Sequence, residues 1–288
     1  MIEGKENVNS KELIKQGKLQ EARAELVAAL KHHPGDIAAR TLLFQVLLFS
    51  GEWDKARQHL EVLANLASDK GPVVMQYLSL LHCEQERLQV LGFQSPPSYL
   101  PGTPDYFQEV YPCFLPGSSS TGAAINRAAA EQIPQVSGTV NGQEFSGLRN
   151  GDDLLAHALE VFAHDRYLWV PFESIREILI TPPQSLLDLL WISASVTTWS
   201  GLSLNGMLPV LYPFSWQHAD TQVRMGRMTD WTTTQADGLV RGAGQQVFLF
   251  GEQDLPLLEV REVRFTMTAG AAPQTAASRQ GDTNAKSN

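Results

Sequence analysis

Apolar residues in the first third of the chain recur at helical spacing. Between residues 10 and 30 they fall at Leu13, Leu19, Ala22, Leu26, Ala29 and Leu30, with a break at Gly17, which predicts an amphipathic helix. Ser10, just ahead of Glu12 and Leu13, is a candidate N-cap. His32-His33-Pro34-Gly35 stops the helix, because proline cannot continue it and glycine favours the turn. Further helices are expected over residues 36–50, 53–67 and 73–91, punctuated by Gly51 and by Asp69-Lys70-Gly71-Pro72. Four helices separated by such turns make an α-hairpin array.

The array repeats itself. Gly17-Lys18-Leu19-Gln20-Glu21-Ala22 recurs as Gly51-Glu52-Trp53-Asp54-Lys55-Ala56, and Leu26 recurs as Leu60, each 34 positions later. That is the tetratricopeptide period. Glycine releases the turn between paired helices, alanine lets them approach, and the bulky residues fill the space between hairpins. Stacked hairpins leave a concave groove that accepts an amphipathic helix. Phe44, Leu48, Trp53 and Tyr77 are the candidates to line it, with packing in the core as the competing role for each.

Residues 92–122 change character. Pro96-Pro97, Pro101-Gly102, Pro104, Pro112 and Pro116-Gly117-Ser118-Ser119-Ser120 mark a connection between domains. Tyr99, Tyr106, Phe107, Tyr111 and Phe114 make it too aromatic for a free tether, so it is expected to pack on the body, with a short helix over residues 104–110. A helix is expected over 123–132. Beyond it, Asn141-Gly142 between short alternating runs signals a β-hairpin over 137–145. Asp152 is read as the cap of a helix reaching His164, and strands are expected over 167–171, 175–180, 189–196, 207–212, 246–250 and 257–265. The chain thus reads as α+β: a flexible N-terminus (1–9), a repeat domain (10–91), the connection (92–122), a domain with a largely antiparallel sheet (123–267), and a disordered tail (268–288) without Val, Ile, Leu or aromatic residues.

Composition narrows the function classes. With 43% hydrophobic and 18% charged residues the chain can bury a core. A net charge of −9, with no run of Lys and Arg, opposes a role on a nucleic-acid backbone. Cys83 and Cys113 share no metal-ligand spacing and make no disulfide framework. The polar start, Met1-Ile2-Glu3-Gly4-Lys5-Glu6, has no apolar core of a secretory signal. The longest apolar stretch, residues 42–49, is too short to span a membrane. A soluble cytoplasmic protein is expected.

Each motif that approaches catalytic chemistry is incomplete. Gly201-Leu202-Ser203-Leu204-Asn205-Gly206 nearly spells a nucleophile elbow, but Asn205 stands where glycine is required, and the segment reads as a polar turn. Arg241-Gly242-Ala243-Gly244 lacks the third glycine of a dinucleotide fingerprint and reads as a hairpin turn. His157 and His164, on the helix expected there, would stand about 10 Å apart, too far for one metal ion. No cofactor and no metal is expected. Five of the six tryptophans lie in the second half. Trp169 and Trp191 suit a core, whereas Trp199, Trp216 and Trp231 fall in Gly/Ser/Thr-rich segments where an exposed indole would mark a contact surface.

Several strings go beyond pattern. Ser137-Gly138-Thr139-Val140-Asn141-Gly142, Asp165-Arg166-Tyr167-Leu168-Trp169-Val170-Pro171-Phe172, Leu187-Asp188-Leu189-Leu190-Trp191, Leu208-Pro209-Val210-Leu211-Tyr212-Pro213 and Leu257-Leu258-Glu259-Val260-Arg261-Glu262-Val263 resemble, in order, the ImpE family, also known as SciE or TagJ. The resemblance implies a non-catalytic accessory role in type VI secretion. Its implied partners are the small sheath subunit (TssB-like), bound through a helical segment, and the AAA+ ATPase (ClpV-like) that disassembles contracted sheaths. The rival readings are a repeat chaperone or scaffold unrelated to secretion, and an enzyme built on the α+β domain.

Overall fold

A computed structural model describes residues 3–66, 71–115, 133–234 and 238–267. The helix expected over 123–132 and the tail from 268 lie outside them. The array consists of α1 (Glu3–Lys15), α2 (Leu19–His32), α3 (Ile37–Phe49), α4 (Trp53–Leu66) and α5 (Gly71–Leu91). Gly17 therefore separates two helices instead of breaking one, and the described residues of the array form five. The two repeat glycines close their helices in the same way. Gly17 N donates to Ile14 O and Lys18 N to Leu13 O; 34 residues on, Gly51 N donates to Leu48 O and Glu52 N to Leu47 O. Both glycines are left-handed, at φ +80° and +69°, which is what this C-terminal motif demands. The repeat extends to the core, where Ala22, Leu26 and Ala29 of α2 correspond to Ala56, Leu60 and Leu63 of α4, all buried.

Residues 3–9 belong to α1. Ser10 lies inside that helix rather than at its start, buried, its hydroxyl donating to the Glu25 carboxylate. The polar run from Glu3 to Asn9 carries no apolar period, so nothing in it announced a helix. Asp36, in contrast, caps α3 from outside by accepting from Ala39 N at 2.9 Å.

The connection packs on the body as its aromatic content demands. Its strand β1 (Ser98–Tyr99) joins the main sheet, and α6 (Asp105–Gln108) and α7 (Val110–Cys113) follow. Tyr111 is buried; its hydroxyl donates to Val90 O and Ser95 O, and its ring meets Trp169 edge-on at 5.6 Å.

The second half contributes β2 (Ser137–Val140), β3 (Gln143–Ser146), β4 (Leu148–Asn150), β5 (Ala158–Ala163), β6 (Arg166–Pro171), β7 (Ile175–Ile180), β8 (Trp191–Thr198), β9 (Ser203–Pro209), β10 (Thr229–Thr233), β11 (Val240–Gly244), β12 (Val247–Phe250), β13 (Gln253–Pro256) and β14 (Glu262–Phe265). The main sheet runs β1-β6-β5-β9-β8-β7-β14-β2-β3, antiparallel throughout except where β1 lies parallel to β6. A small sheet β13-β12-β4 covers it, and β10 and β11 form a separate ribbon. Asn141-Gly142 makes the expected tight hairpin between β2 and β3, both residues at positive φ.

Several segments differ from their sequence reading. Asp152 caps only a single 3-10 turn (Asp153–Leu155), and the expected helix to His164 is replaced by β5, buried at every position. A strand buried on both faces loses its alternation, and its apolar run cannot be told from a buried helix. Arg241-Gly242-Ala243-Gly244 is strand β11, not a turn. Glycine is needed there because a Cβ on Gly242 would come within 2.3 Å of the Tyr212 ring.

Candidate functional site

The inner helices of the array meet the sheet half. Phe44 and Leu48, on α3, are each 1% exposed. Leu48 and Phe49 line a cleft together with Leu190, Trp191, Leu211, Tyr212 and Trp216 of the second half. The second half of the chain thus faces the inner helices, and Phe44 and Leu48 are buried there. Trp53 and Tyr77 are half-buried. Trp53 meets Trp216 edge-on at 5.5 Å, and Tyr77 meets Phe44 in the same manner at 5.7 Å. Gly51 makes room for this junction, since a Cβ there would fall 2.3 Å from Trp216 Cδ1.

A buried polar network holds the two halves together, and no sequence signal pointed to it. Arg87 of α5 donates through Nε and Nη2 to both oxygens of Glu160 on β5, at 2.7 and 2.8 Å. It also donates to Glu84 at 3.1 Å and to Leu211 O at 2.8 Å. The second Glu84 oxygen accepts from Trp191 Nε1. Glu160 accepts further from Tyr167 and from Gln246, whose own carbonyl accepts from Asn150. Asn150 accepts from the Tyr212 hydroxyl and from Asp152 N, and Asp152 in turn accepts from Arg241 and Gly242. Charges this deep persist only when their bonding capacity is filled. Burial alone would lower the Arg87 pKa, but the Glu160 and Glu84 carboxylates outweigh it and raise it. Burial, and then Glu160, raise the Tyr167 hydroxyl well above its usual value. Arg87 thus stays protonated and Tyr167 neutral, as befits a structural bolt.

The remaining candidates do not converge. His157 and His164 flank β5, not a helix; at about 3.3 Å per strand residue they stand roughly 20 Å apart. Burial, helped by Arg149, pushes the His157 pKa down to about 4. Among the described residues no group of three or more His, Cys, Asp or Glu side chains is arranged to hold a metal ion. Ser203 lies in strand β9, not in the polar turn expected there, and is exposed. Burial pushes the Cys83 thiol up to about 12. Trp169 and Trp191 are core residues, each 2% exposed. Of the three loop tryptophans, Trp199 and Trp216 are half-buried, and Trp231, on β10, is 41% exposed, its ring lying against Tyr212 at 5.5 Å.

Comparison with known proteins agrees with this layout. Residues 142–264 match the ImpE protein family, and residues 13–73 match the tetratricopeptide repeat. The chain is 27% identical over 270 residues to the type VI secretion system accessory component TagJ of Pseudomonas aeruginosa, covering 93% of this chain and 94% of that protein. A crystal structure of a Vibrio parahaemolyticus protein has the same fold, with a TM-score of 0.77 and 21% identity over 92% of this chain and all of the other.

Proposed function

Because the chain belongs to the ImpE/TagJ family, we propose that it is a non-catalytic accessory protein of the type VI secretion system. In this reading it is a cytoplasmic adaptor that binds a helical segment of the small sheath subunit. It links that subunit to sheath assembly or to ATPase-driven recycling. The similarity to an accessory component along almost the full length of both chains carries the reading, because it joins repeat array and sheet half in one unit. Among the described residues no helix is long and apolar enough to cross a membrane, which agrees with this setting. Since the array's inner face is occupied by the sheet half, the reading assigns the partner helix to the mouth of the junction, where Trp53 and Trp216 remain half-exposed.

The test is calorimetric titration of the full chain with the purified small sheath subunit of the same bacterium. A saturable complex is expected, competed by a peptide carrying the subunit's helical segment. Absence of binding to the subunit, alone or assembled into sheath, overturns the reading and leaves a repeat scaffold unrelated to secretion.

A further inference from the structure

We propose that the segment from Phe214 to Arg227 is a latch: it closes the front of the junction, and the partner helix enters when the front hairpins swing away from it about α5. This rests on the adaptor reading and adds its regulation. The array is attached to the sheet half at two places of unequal strength. At the rear, α5 is bonded directionally: Arg87 holds both oxygens of Glu160, Glu84 accepts from Trp191 Nε1, and Glu86 accepts from Tyr167 N at 2.9 Å. At the front, the two repeat turns lean on one segment. Trp216 lies against Gly51 and meets Trp53 edge-on, while Thr221 and Gln222, on the short helix α8 (Thr221–Arg224), lie against Gly17. Among the described residues, the hydrogen bond across this front contact is a long one, Arg227 Nη2 to Ile14 O at 3.5 Å.

The segment itself belongs to the sheet half. Val223 is buried against Gly244, Ser215 Oγ donates to Tyr212 O and accepts from Gly244 N, and Gly226 O accepts from Gln245. It therefore stays with the sheet, and the front contact is the one that parts. Closure is held at a cost. Trp53 Nε1 and Arg224 Nε, from the two sides of the cleft, are buried there without an acceptor. A buried donor left unbonded is unfavourable, and water satisfies it on opening. Phe214, at the root of the segment, is left-handed at φ +61°, a conformation that a bulky residue keeps only under the packing around it. A firmly bonded rear and a strained, sparsely bonded front make the junction open from the front. Opening parts Leu48, Phe49 and Trp53 from Trp216, and these walls are the apolar surface that an amphipathic helix needs.

The experiment locks and follows the latch in the full chain, on a Cys113→Ser background that removes the exposed thiol. A Cβ on Gly17 would stand 3.5 Å from Thr221 Cγ2, within reach of a disulfide. Gly17→Cys combined with Thr221→Cys therefore gives one molecule that is locked when oxidised and free when reduced. The oxidised form is expected to bind the purified small sheath subunit about 10-fold or more weakly than the reduced form, whose identical sequence controls for strain at Gly17. Arg227→Ala, which removes the bond across the front, is expected to bind about 2- to 10-fold more tightly, because apparent affinity rises with the open fraction. Spin labels on Glu21→Cys and Ala219→Cys, both exposed, should move apart when the subunit binds. Labels on Gln89→Cys and Arg166→Cys, at the exposed surface of the rear attachment, should keep their distance. Equal binding by the oxidised and reduced forms, weaker binding by Arg227→Ala, or a complex in which the first pair of labels has not moved overturns the latch and leaves the adaptor reading standing. Should the disulfide not form, the label distances decide alone. If wild type does not bind the subunit, the adaptor reading falls and the latch with it.

Discussion

The outer helices α2 and α4 and the inner helices α3 and α5 belong to the same array but bury themselves differently. The outer pair is one-sided, with an apolar stripe at Leu19, Ala22, Leu26 and Ala29 and its echo at Ala56, Leu60 and Leu63. Helix α3 is buried over Leu43, Phe44, Val46, Leu47, Leu48 and Phe49, which leaves no free face in its second half. Helix α5 buries even charged residues, Glu84 and Arg87. The difference teaches that the inner layer is an interface with the sheet and not a vacant groove. Apolar burial holds the outer layer, whereas the inner one is fixed by directional bonds to particular partners.

The strongest way to break this contrast is Arg87→Met. It strands Glu84 and Glu160 without their cation, and the expected loss is about 3–5 kcal/mol of stability. Far-ultraviolet and tryptophan signals should melt together at the lowered temperature, since helix and sheet share the network. A helical signal that kept its midpoint while the tryptophan signal fell would mean that the halves fold separately.

Gly51→Ala sharpens the contrast between the two repeats. Its Cβ collides with the Trp216 ring, and the position is left-handed, so about 1–3 kcal/mol should be lost in urea unfolding. Gly17→Ala shares the backbone strain, but its nearest obstacle is the flexible end of Gln222 at 3.2 Å, so the loss should be smaller. Equal losses would show that the Trp216 contact contributes nothing.

A further effect concerns pH. Glu173 is buried with neither carboxylate oxygen hydrogen-bonded, and burial pushes its pKa up to about 7. The folded chain then holds a proton that the unfolded chain releases, so this group weakens the fold as pH rises from about 4.5 to 7. Glu173→Gln abolishes that term. Its melting temperature relative to wild type should climb between pH 5 and pH 8, with a flat difference counting against the assignment. His157 titrates in part of the same range in the opposite sense, but it is common to both proteins and cancels in the difference.

What could be read from the sequence was what nearest neighbours along the chain determine. The Gly17 and Gly51 turns and the Asn141-Gly142 hairpin each depend on a few adjacent residues, and each was legible. Strand β5 was not, because its burial on both faces comes from β6 and β9 lying beside it. The Arg87–Glu160 pair was invisible for a similar reason: 73 residues separate the partners, and an arginine on a helix otherwise reads as a solvated face. Phe44 and Leu48 had the residue types of groove lining. Whether an apolar inner face stays open or is covered depends on the neighbouring domain, and no periodicity within the helix can report it.

The coupling of α5 to the sheet also restricts how a solenoid of this kind can lengthen. A hairpin inserted between α4 and α5 would carry Gly51 away from Trp216 while Arg87 stayed bound to Glu160, so one of the two attachments would be torn. An extra hairpin ahead of α1 disturbs neither. The array has one growing end, its front, and relatives that differ in repeat number are expected to differ there.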